Sequence, residues 1–207
     1  TGAWERGIPV DDPNWPYDPA ADADGSGRCY LTMNQAGNTD VDSGSVTLTT
    51  PNIDMTGGAD LHYSYYLFLT DESGADRLLV EVNSNGGAGA WTTVATHTTS
   101  GANSWRQHTL SEADLSALGV TFTSTMKVRF TANDADPQSI VEAGIDAVRA
   151  SKLLCSTPLG TSFCLGDGSG AACPCGNNGS AGHGCDNSIA SGGARLDATG
   201  TASPDTV

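Results

Sequence analysis

Apolar and polar residues alternate from position 45 to position 150, and a helical repeat is almost absent, so the chain reads as a succession of short strands. In SVTLTTP (45–51) Val46 and Leu48 share one face. In LHYSYYLFL (61–69) Leu61, Tyr63, Tyr65, Leu67 and Leu69 point one way, and His62, Ser64, Tyr66 and Phe68 the other. RLLVEVN (77–83) and AWTTVATHT (90–98) flank SNGGAG, whose Gly and Asn residues suit a hairpin turn. TMKVRFTA (125–132) turns Met126, Val128 and Phe130 inward and Lys127 and Arg129 outward. SIVEAGIDAVRA (139–150) sets Val141, Ala143, Ile145 and Ala147 on one face and Glu142, Gly144 and Asp146 on the other. One helical turn stands out, SEADLSALG (111–119): Ser111 caps it, Leu115 and Leu118 lie three apart, and Gly119 stops it. Many short strands separated by turns predict an all-β, antiparallel β-sandwich over residues 1–155.

Past Cys155 the texture changes. Residues 156–186 hold almost no apolar side chain other than cysteine, so this connector cannot bury a core and needs cross-links or metal. Residues 187–207 resume a short alternation, expected as the start of a following β domain or a C-terminal strand, which makes the chain a piece of a larger secreted protein. Its first residue, Thr1, suggests a mature or trimmed product. The six cysteines are Cys29, Cys155, Cys164, Cys173, Cys175 and Cys185; an even number in a Gly-rich, Lys-poor chain favours disulfides and an extracellular or periplasmic location. A zinc site built from Cys164, Cys173, Cys175, His183 and Cys185 is the rival, against which the Cys-Pro-Cys and His-Gly-Cys spacings stand.

Charge narrows the partners. Acidic residues outnumber basic ones 24 to 9, for a net charge of -15, and the basic residues are scattered singly. Nucleic acid and anionic membrane surfaces need a clustered basic patch, so both are rejected, and no apolar run approaches the length of a membrane span. Catalytic patterns are missing too: no serine lies in a Gly-x-Ser-x-Gly frame, and the four histidines show no paired-ligand spacing. The chain is therefore expected not to be an enzyme, although carboxylate pairs are plentiful enough to leave a hydrolase as an alternative.

The acidic residues instead suit divalent cations. In DPAADADGSGRCY (18–30) Asp22 and Asp24 lie one residue apart in a Gly-rich loop, which offers hard oxygen ligands of the kind calcium takes. The loop is no EF-hand, since Leu31 stands where the bidentate Glu belongs. A solvated turn whose Asp side chains accept backbone hydrogen bonds is the competing reading. TDVDSG (39–44) repeats the spacing with Asp40 and Asp42, where a capped turn into the next strand is the simpler account and a second cation the alternative. Asp146, between apolar residues on a core strand, needs a cation, hydrogen bonds or Arg129 as partner. For ligands, Trp15 and Tyr17 sit among Pro and Asp on a loop where they can stack on sugar rings or anchor a protein, unless Trp15 folds down over the sandwich edge. The outward row His62, Ser64 and Tyr66 is a candidate groove wall, or else faces the second sheet.

GAWERG, DADGSGRCYLT, TDVDSGSVTLTTP and SIVEAGIDAVRA occur in that order, and together they resemble the MAM-like jelly-roll modules of large secreted bacterial proteins; the Cys-rich tail resembles segments of planctomycete-like multidomain proteins. The resemblance implies a jelly-roll sandwich with a Cys/Gly-rich C-terminal extension. It also implies a structural Ca2+ where the first strand, the following loop and the last strand meet, at Glu5, Asp22 and Asp146; Asp24 is added as a neighbour within reach. The last strand departs from the family's acidic doublet, with Asp-Ala at 146–147. The expected role is a secreted, non-catalytic recognition or adhesion module that binds an extracellular glycan or protein or targets an attached enzyme. The alternative is the structural subunit of an extracellular filament or matrix, with copies of itself as partner.

Overall fold

A computed structural model describes residues 2–152, 165–170, 172–189 and 191–195. The chain divides into two compact units, Thr1–Lys152 and Leu153–Val207. The first unit is an antiparallel jelly-roll β-sandwich. One sheet runs in the order β1 (Trp4–Gly7), β2 (Cys29–Thr32), β9 (Val141–Ser151), β4 (Asp60–Leu69), β7 (Arg106–Leu110). The other runs β3 (Gly44–Thr49), β8 (Lys127–Asp134), β5 (Arg77–Asn83), β6 (Thr92–His97). Successive strands repeatedly cross from one sheet to the other, so neighbours within a sheet are mostly distant in sequence.

The inward residues match the alternation. Leu61, Tyr63, Tyr65, Leu67 and Leu69 of β4 join Leu78, Val80 and Val82 of β5 and Val128, Phe130 and Ala132 of β8 in one buried core. The 83–90 turn is organised by Asn83, whose amide donates to Ala88 O (3.0 Å) and Ala90 O (2.8 Å) while its oxygen accepts from the Asn85 and Gly87 amides. The helical turn forms as α1 (Glu112–Ala117), with a reciprocal cap between Ser111 and Asp114. Leu115 is buried in the core, but Leu118 falls at the C-cap and is exposed.

Two features depart from the simple alternation. In β9 the register against β4 shifts between Ser64↔Asp146 and His62↔Arg149, and Ala147 takes φ 51°. The expected inward row therefore ends at Ile145, because a bulge inserts an unpaired residue and swings the strand. Second, the outer face of the β4 sheet is covered by residues 11–27, a strap without regular structure. Tyr66, expected to point outward, is 1% exposed. Strand β4 is thus buried on both faces, which explains why its outward positions also carry aromatic residues.

Gly144 of β9 lies at the centre of this second packing layer. A Cβ there would meet Leu31 Cδ2 and Trp105 Cη2 at 2.8 Å and Tyr66 Cβ at 3.2 Å. Gly144→Ala should cost about 1–3 kcal/mol through overpacking. The check is a lower thermal midpoint with altered tryptophan fluorescence; an unchanged midpoint would mean the layer is loosely packed.

In the second unit the described residues form turns held by backbone hydrogen bonds and the disulfide Cys173–Cys185. Glycine is required by close approach: a Cβ on Gly179 would lie 2.0 Å from Gly184 O, and one on Gly193 1.9 Å from the same oxygen. The zinc rival does not hold, because Cys173 and Cys185 are bonded to each other and His183 Nδ1 contacts Gly193 O at 2.9 Å. Cys29 is also corrected: it is a buried free thiol in β2, among the outward residues that the strap covers. Cys175 is free and exposed. Cys155 and Cys164 lie outside the described residues, as do residues 196–207 of the expected last segment. No helix among the described residues is long and apolar enough to cross a membrane.

Candidate functional site

The strap is fastened by its own backbone and by aromatic side chains. Trp15 Nε1 donates to Glu142 Oε1 (2.9 Å), the Tyr66 hydroxyl to Tyr17 O (2.7 Å), and Trp105 Nε1 to Ala21 O (2.7 Å). The Tyr17 ring packs on Phe68 at 4.7 Å and edge-on to Trp15 at 4.9 Å. Trp15, Tyr17 and Tyr66, the candidate ligand residues, therefore hold the strap against the sheet, and for Trp15 this is the fold-down alternative. Large apolar rings are better satisfied against another apolar surface than in water, and the outward Phe68 and Tyr66 supply one.

Beneath the strap lies a buried acid pair. Glu142, 1% exposed, accepts from Trp15 and from the Thr39 hydroxyl (2.8 Å) on Oε1, and from the Thr32 hydroxyl (3.0 Å) on Oε2. The Thr39 hydroxyl also contacts Asp18 Oδ2 at 2.9 Å. One hydroxyl carries one hydrogen, so it cannot fully satisfy two carboxylates; a proton on one acid of the pair completes the second contact. Burial, with the Asp18 charge beside it, pushes the Glu142 carboxyl up to about 8, and burial raises Asp18 as well.

At the end of the strap the Asp22, Asp24 and Asp146 carboxylates converge, each offering an oxygen within 4.8 Å of the others. Asp22 Oδ2 accepts from the Gly27 amide (2.8 Å), Asp24 Oδ1 from the Ser26 amide (2.8 Å), and Asp146 Oδ2 from the Ala23 amide (2.8 Å). The hydrogen-bonded turn is therefore real, and it gathers three acids while forming. Among the described residues none of the three is in an ion pair; Arg129, the rival partner for Asp146, pairs with Glu81 and lies over Trp91. An all-oxygen, carboxylate-rich donor set fits a hard cation such as Ca2+.

Glu5 is not part of this group. It pairs with Leu31, and its carboxylate accepts from Gln35 Nε2 at 3.4 Å. Strand β1 lies two strands from β9, about 10 Å, too far for a shared ligand sphere. Asp40 and Asp42 join no group of three acids among the described residues. Asp42 accepts from the Gln138 side chain, and Asp134 receives the Ser43 amide (2.7 Å), so 39–44 is the capped turn. Asp40 is buried with Oδ1 lacking a hydrogen bond; burial, then Asp42 and Asp134, raises its carboxyl.

Asp24 and Asp146 of this group line a cleft of about 480 Å³ where the sheets part, between β2 and β9 on one side and β3 and residues 50–53 on the other. Leu48, Ile53 and Phe130 line its apolar part, Thr49, Thr50 and Asn52 its polar part. Tyr30 lines it as well and is 36% exposed, the most exposed aromatic side chain among the described residues. Arg6 lies directly across from Tyr30 in the β1–β2 pairing, and Arg28 precedes it by two residues; both line the cleft. Sequence reading passed over all three. The cleft exists only because β2 pairs with β9, more than a hundred residues away, and no local pattern announces that.

A serine–histidine contact is present on the outer face of the β4 sheet: Ser151 Oγ to His62 Nε2 at 2.7 Å, with His62 Nδ1 on Thr109 Oγ1 at 2.9 Å. The third group is a hydroxyl where a catalytic triad has a carboxylate.

No family model matches the sequence, and no curated protein matches it either. Among solved structures it is similar to the K1 cleaved adhesin domain of Lys-gingipain from Porphyromonas gingivalis W83, at 19% identity and a TM-score of 0.45, over 72% of this chain and 83% of that one. The K2 domain of the same protein gives 16% and 0.43 over 73% and 83%. A carbohydrate-binding module specific for non-crystalline cellulose, CBM28, gives 8% and 0.39 over 63% and 78%. At such identities and scores nothing about a ligand passes to this chain, and the MAM-like resemblance rests on the sequence motifs alone.

Proposed function

We propose that the sandwich is a non-catalytic recognition module acting outside the cell, that it binds glycan in the cleft beside Tyr30, and that Ca2+ held by Asp22, Asp24 and Asp146 braces the cleft's end wall. The cleft carries this reading. Its volume of about 480 Å³ suits one or two sugar rings, and it sets an accessible aromatic ring among hydroxyl and amide side chains. A saccharide has an apolar C–H face for the ring and hydroxyls for Thr49, Thr50 and Asn52. The disulfide in the second unit supports an oxidising, extracellular setting. The filament and hydrolase alternatives have no comparable feature behind them.

Calorimetry with a panel of oligosaccharides tests the reading. Tyr30→Ala should weaken binding about 5- to 30-fold, because stacking on an exposed ring contributes about 1–2 kcal/mol, while the thermal midpoint stays within a few degrees. Trp15→Ala should instead lower the midpoint. Saccharide binding that survives Tyr30→Ala intact would place the site elsewhere.

A further inference from the structure

We propose that this cleft selects an anionic saccharide, one carrying carboxylate or sulfate groups, through the guanidinium groups of Arg6 and Arg28 on either side of the Tyr30 ring. The proposal rests on the cleft being the glycan site and names the class of glycan.

The argument is about where the scarce positive charge goes. The chain has nine Lys and Arg residues against 24 Asp and Glu. Four of the nine basic side chains are committed elsewhere. Arg129 pairs with Glu81, Arg106 donates to Thr99 O and covers Tyr65, Arg77 donates to Gly74 O, and Lys152 donates to Gly57 O. The Arg6 and Arg28 side chains have no hydrogen-bond or ion-pair partner among the described residues, yet both line one cleft. In so acidic a molecule, two uncommitted guanidinium groups in one concavity balance the two carboxylates that line it, Asp24 and Asp146, and set it apart from the acidic remainder of the surface.

Geometry gives the two arginines a use. Arg6 and Tyr30 are directly opposed across β1 and β2, which puts their Cβ atoms about 5 Å apart. A sugar ring stacked on Tyr30 therefore brings its ring substituents within reach of the Arg6 guanidinium on one side and of Arg28 on the other. A guanidinium donates two parallel hydrogen bonds to a carboxylate or sulfate, a geometry that neutral hydroxyls do not exploit. Asp24 and Asp146 at the cleft's end accept backbone amides and are gathered with Asp22; they form no ion pair with the arginines among the described residues, and the proposed Ca2+ offsets their charge. Screening over about 8 Å at physiological salt confines the attraction to the cleft. A long polyanion lying across the rest of the surface would meet the net charge of -15; a short acidic segment within the cleft would not.

The test is calorimetry on the full chain at fixed free calcium, with four probes: oligogalacturonate, a sulfated oligosaccharide, a neutral xylo- or cello-oligosaccharide of equal length, and an oligoglutamate peptide. One of the two acidic saccharides should bind at least tenfold more tightly than the neutral one, and which of them does so identifies carboxylate or sulfate as the anion. That preference should shrink with added salt and fall about tenfold in Arg6→Gln and in Arg28→Gln, both exposed positions whose thermal midpoints should not move. Tyr30→Ala should weaken all saccharides together. A neutral saccharide bound as tightly as the acidic ones, with the arginine variants unaffected, would overturn the charge selection and leave the glycan cleft standing. Binding of oligoglutamate with no saccharide would overturn the saccharide class, and no saccharide binding at all would overturn the reading beneath it.

Discussion

Raising the pH from about 6.5 to about 8.5 should destabilise the sandwich by about 2 kcal/mol, and Glu142→Gln should remove that loss. Glu142 titrates near its ordinary value of 4.5 when unfolded and at about 8 in the fold. Between those values folding takes up a proton, so its contribution is complete below 4.5, declines as pH rises, and is gone above about 8. The groups facing it work the same way. Asp18 is buried with it and shares Thr39, while Asp12 and Asp40 add negative charge to Asp18. His97 acts in the opposite sense. Burial, then His108 and Arg106, lowers it from 6.5 to about 4, so its contribution is complete above 6.5 and is lost as pH falls toward 4. His108, also lowered by burial, adds to His97, so the two histidines outweigh Glu142 below 6.5 and the Glu142 loss dominates above it. Glutamine is always neutral and still offers an oxygen to the Trp15 indole and an amide to Thr32, so the variant keeps the strap in place. A change of about 2 kcal/mol in a unit of this size moves the thermal midpoint by roughly 4–8 °C. The expected profile for the wild type is a maximum near pH 6–7; for Glu142→Gln it is a rise to pH 6.5 and a plateau. A wild-type midpoint that is flat from 6.5 to 8.5 would sink the buried-proton account.

How much of this was legible beforehand follows from the range of each interaction. The inward row of β4 and the capped turn of α1 depend on residues within one element, and the alternation and the Ser111–Asp114 spacing announce them. The bulge at Ala147 does not show, because alanine carries no preference for φ 51° and the shift exists only against β4. Trp15 and Tyr17 looked like a loop platform because prolines and aspartates surround them. What decides their role is the outward Tyr66 and Phe68, whose excess of aromatic surface on an apparently solvent-facing row was the available signal. Asp22 and Asp24 stood out by their spacing in a Gly-rich loop; Asp146 was joined to them through motif order, and the same route wrongly included Glu5, since motif order does not say how many strands separate two residues. Arg6, Arg28 and Tyr30 carry no pattern at all; their meeting is a product of sheet order.

Chelation should lower the thermal midpoint, and millimolar Ca2+ should raise it, if the three converging carboxylates hold the proposed ion. A ligand present at a hundred times its dissociation constant stabilises the fold by about 2.7 kcal/mol, which in a unit of this size is a shift of roughly 5–10 °C. The effect should be coupled to the strap. Asp22 and Asp24 belong to it and Asp146 belongs to β9, so removing the ion leaves like charges within 4.8 Å of one another across the seam. The Ala23–Asp146 and Ala21–Trp105 hydrogen bonds sit on the same stretch and should loosen with it, changing tryptophan fluorescence. Asp146→Asn tests the charge, because asparagine still accepts the Ala23 amide but gives up the charge and the second bond, which Oδ1 accepts from the Ala147 amide. In calcium the variant should be destabilised and should respond less to added Ca2+. In chelator its destabilisation should shrink, since a repulsive charge is gone. Mg2+ should protect less than Ca2+, because it demands a regular octahedron that ligands fixed by backbone hydrogen bonds do not offer. If the midpoint ignores chelator and Asp146→Asn is stabilising at every calcium concentration, the three aspartates are turn-formers only, and the cleft's end wall stands on hydrogen bonds alone.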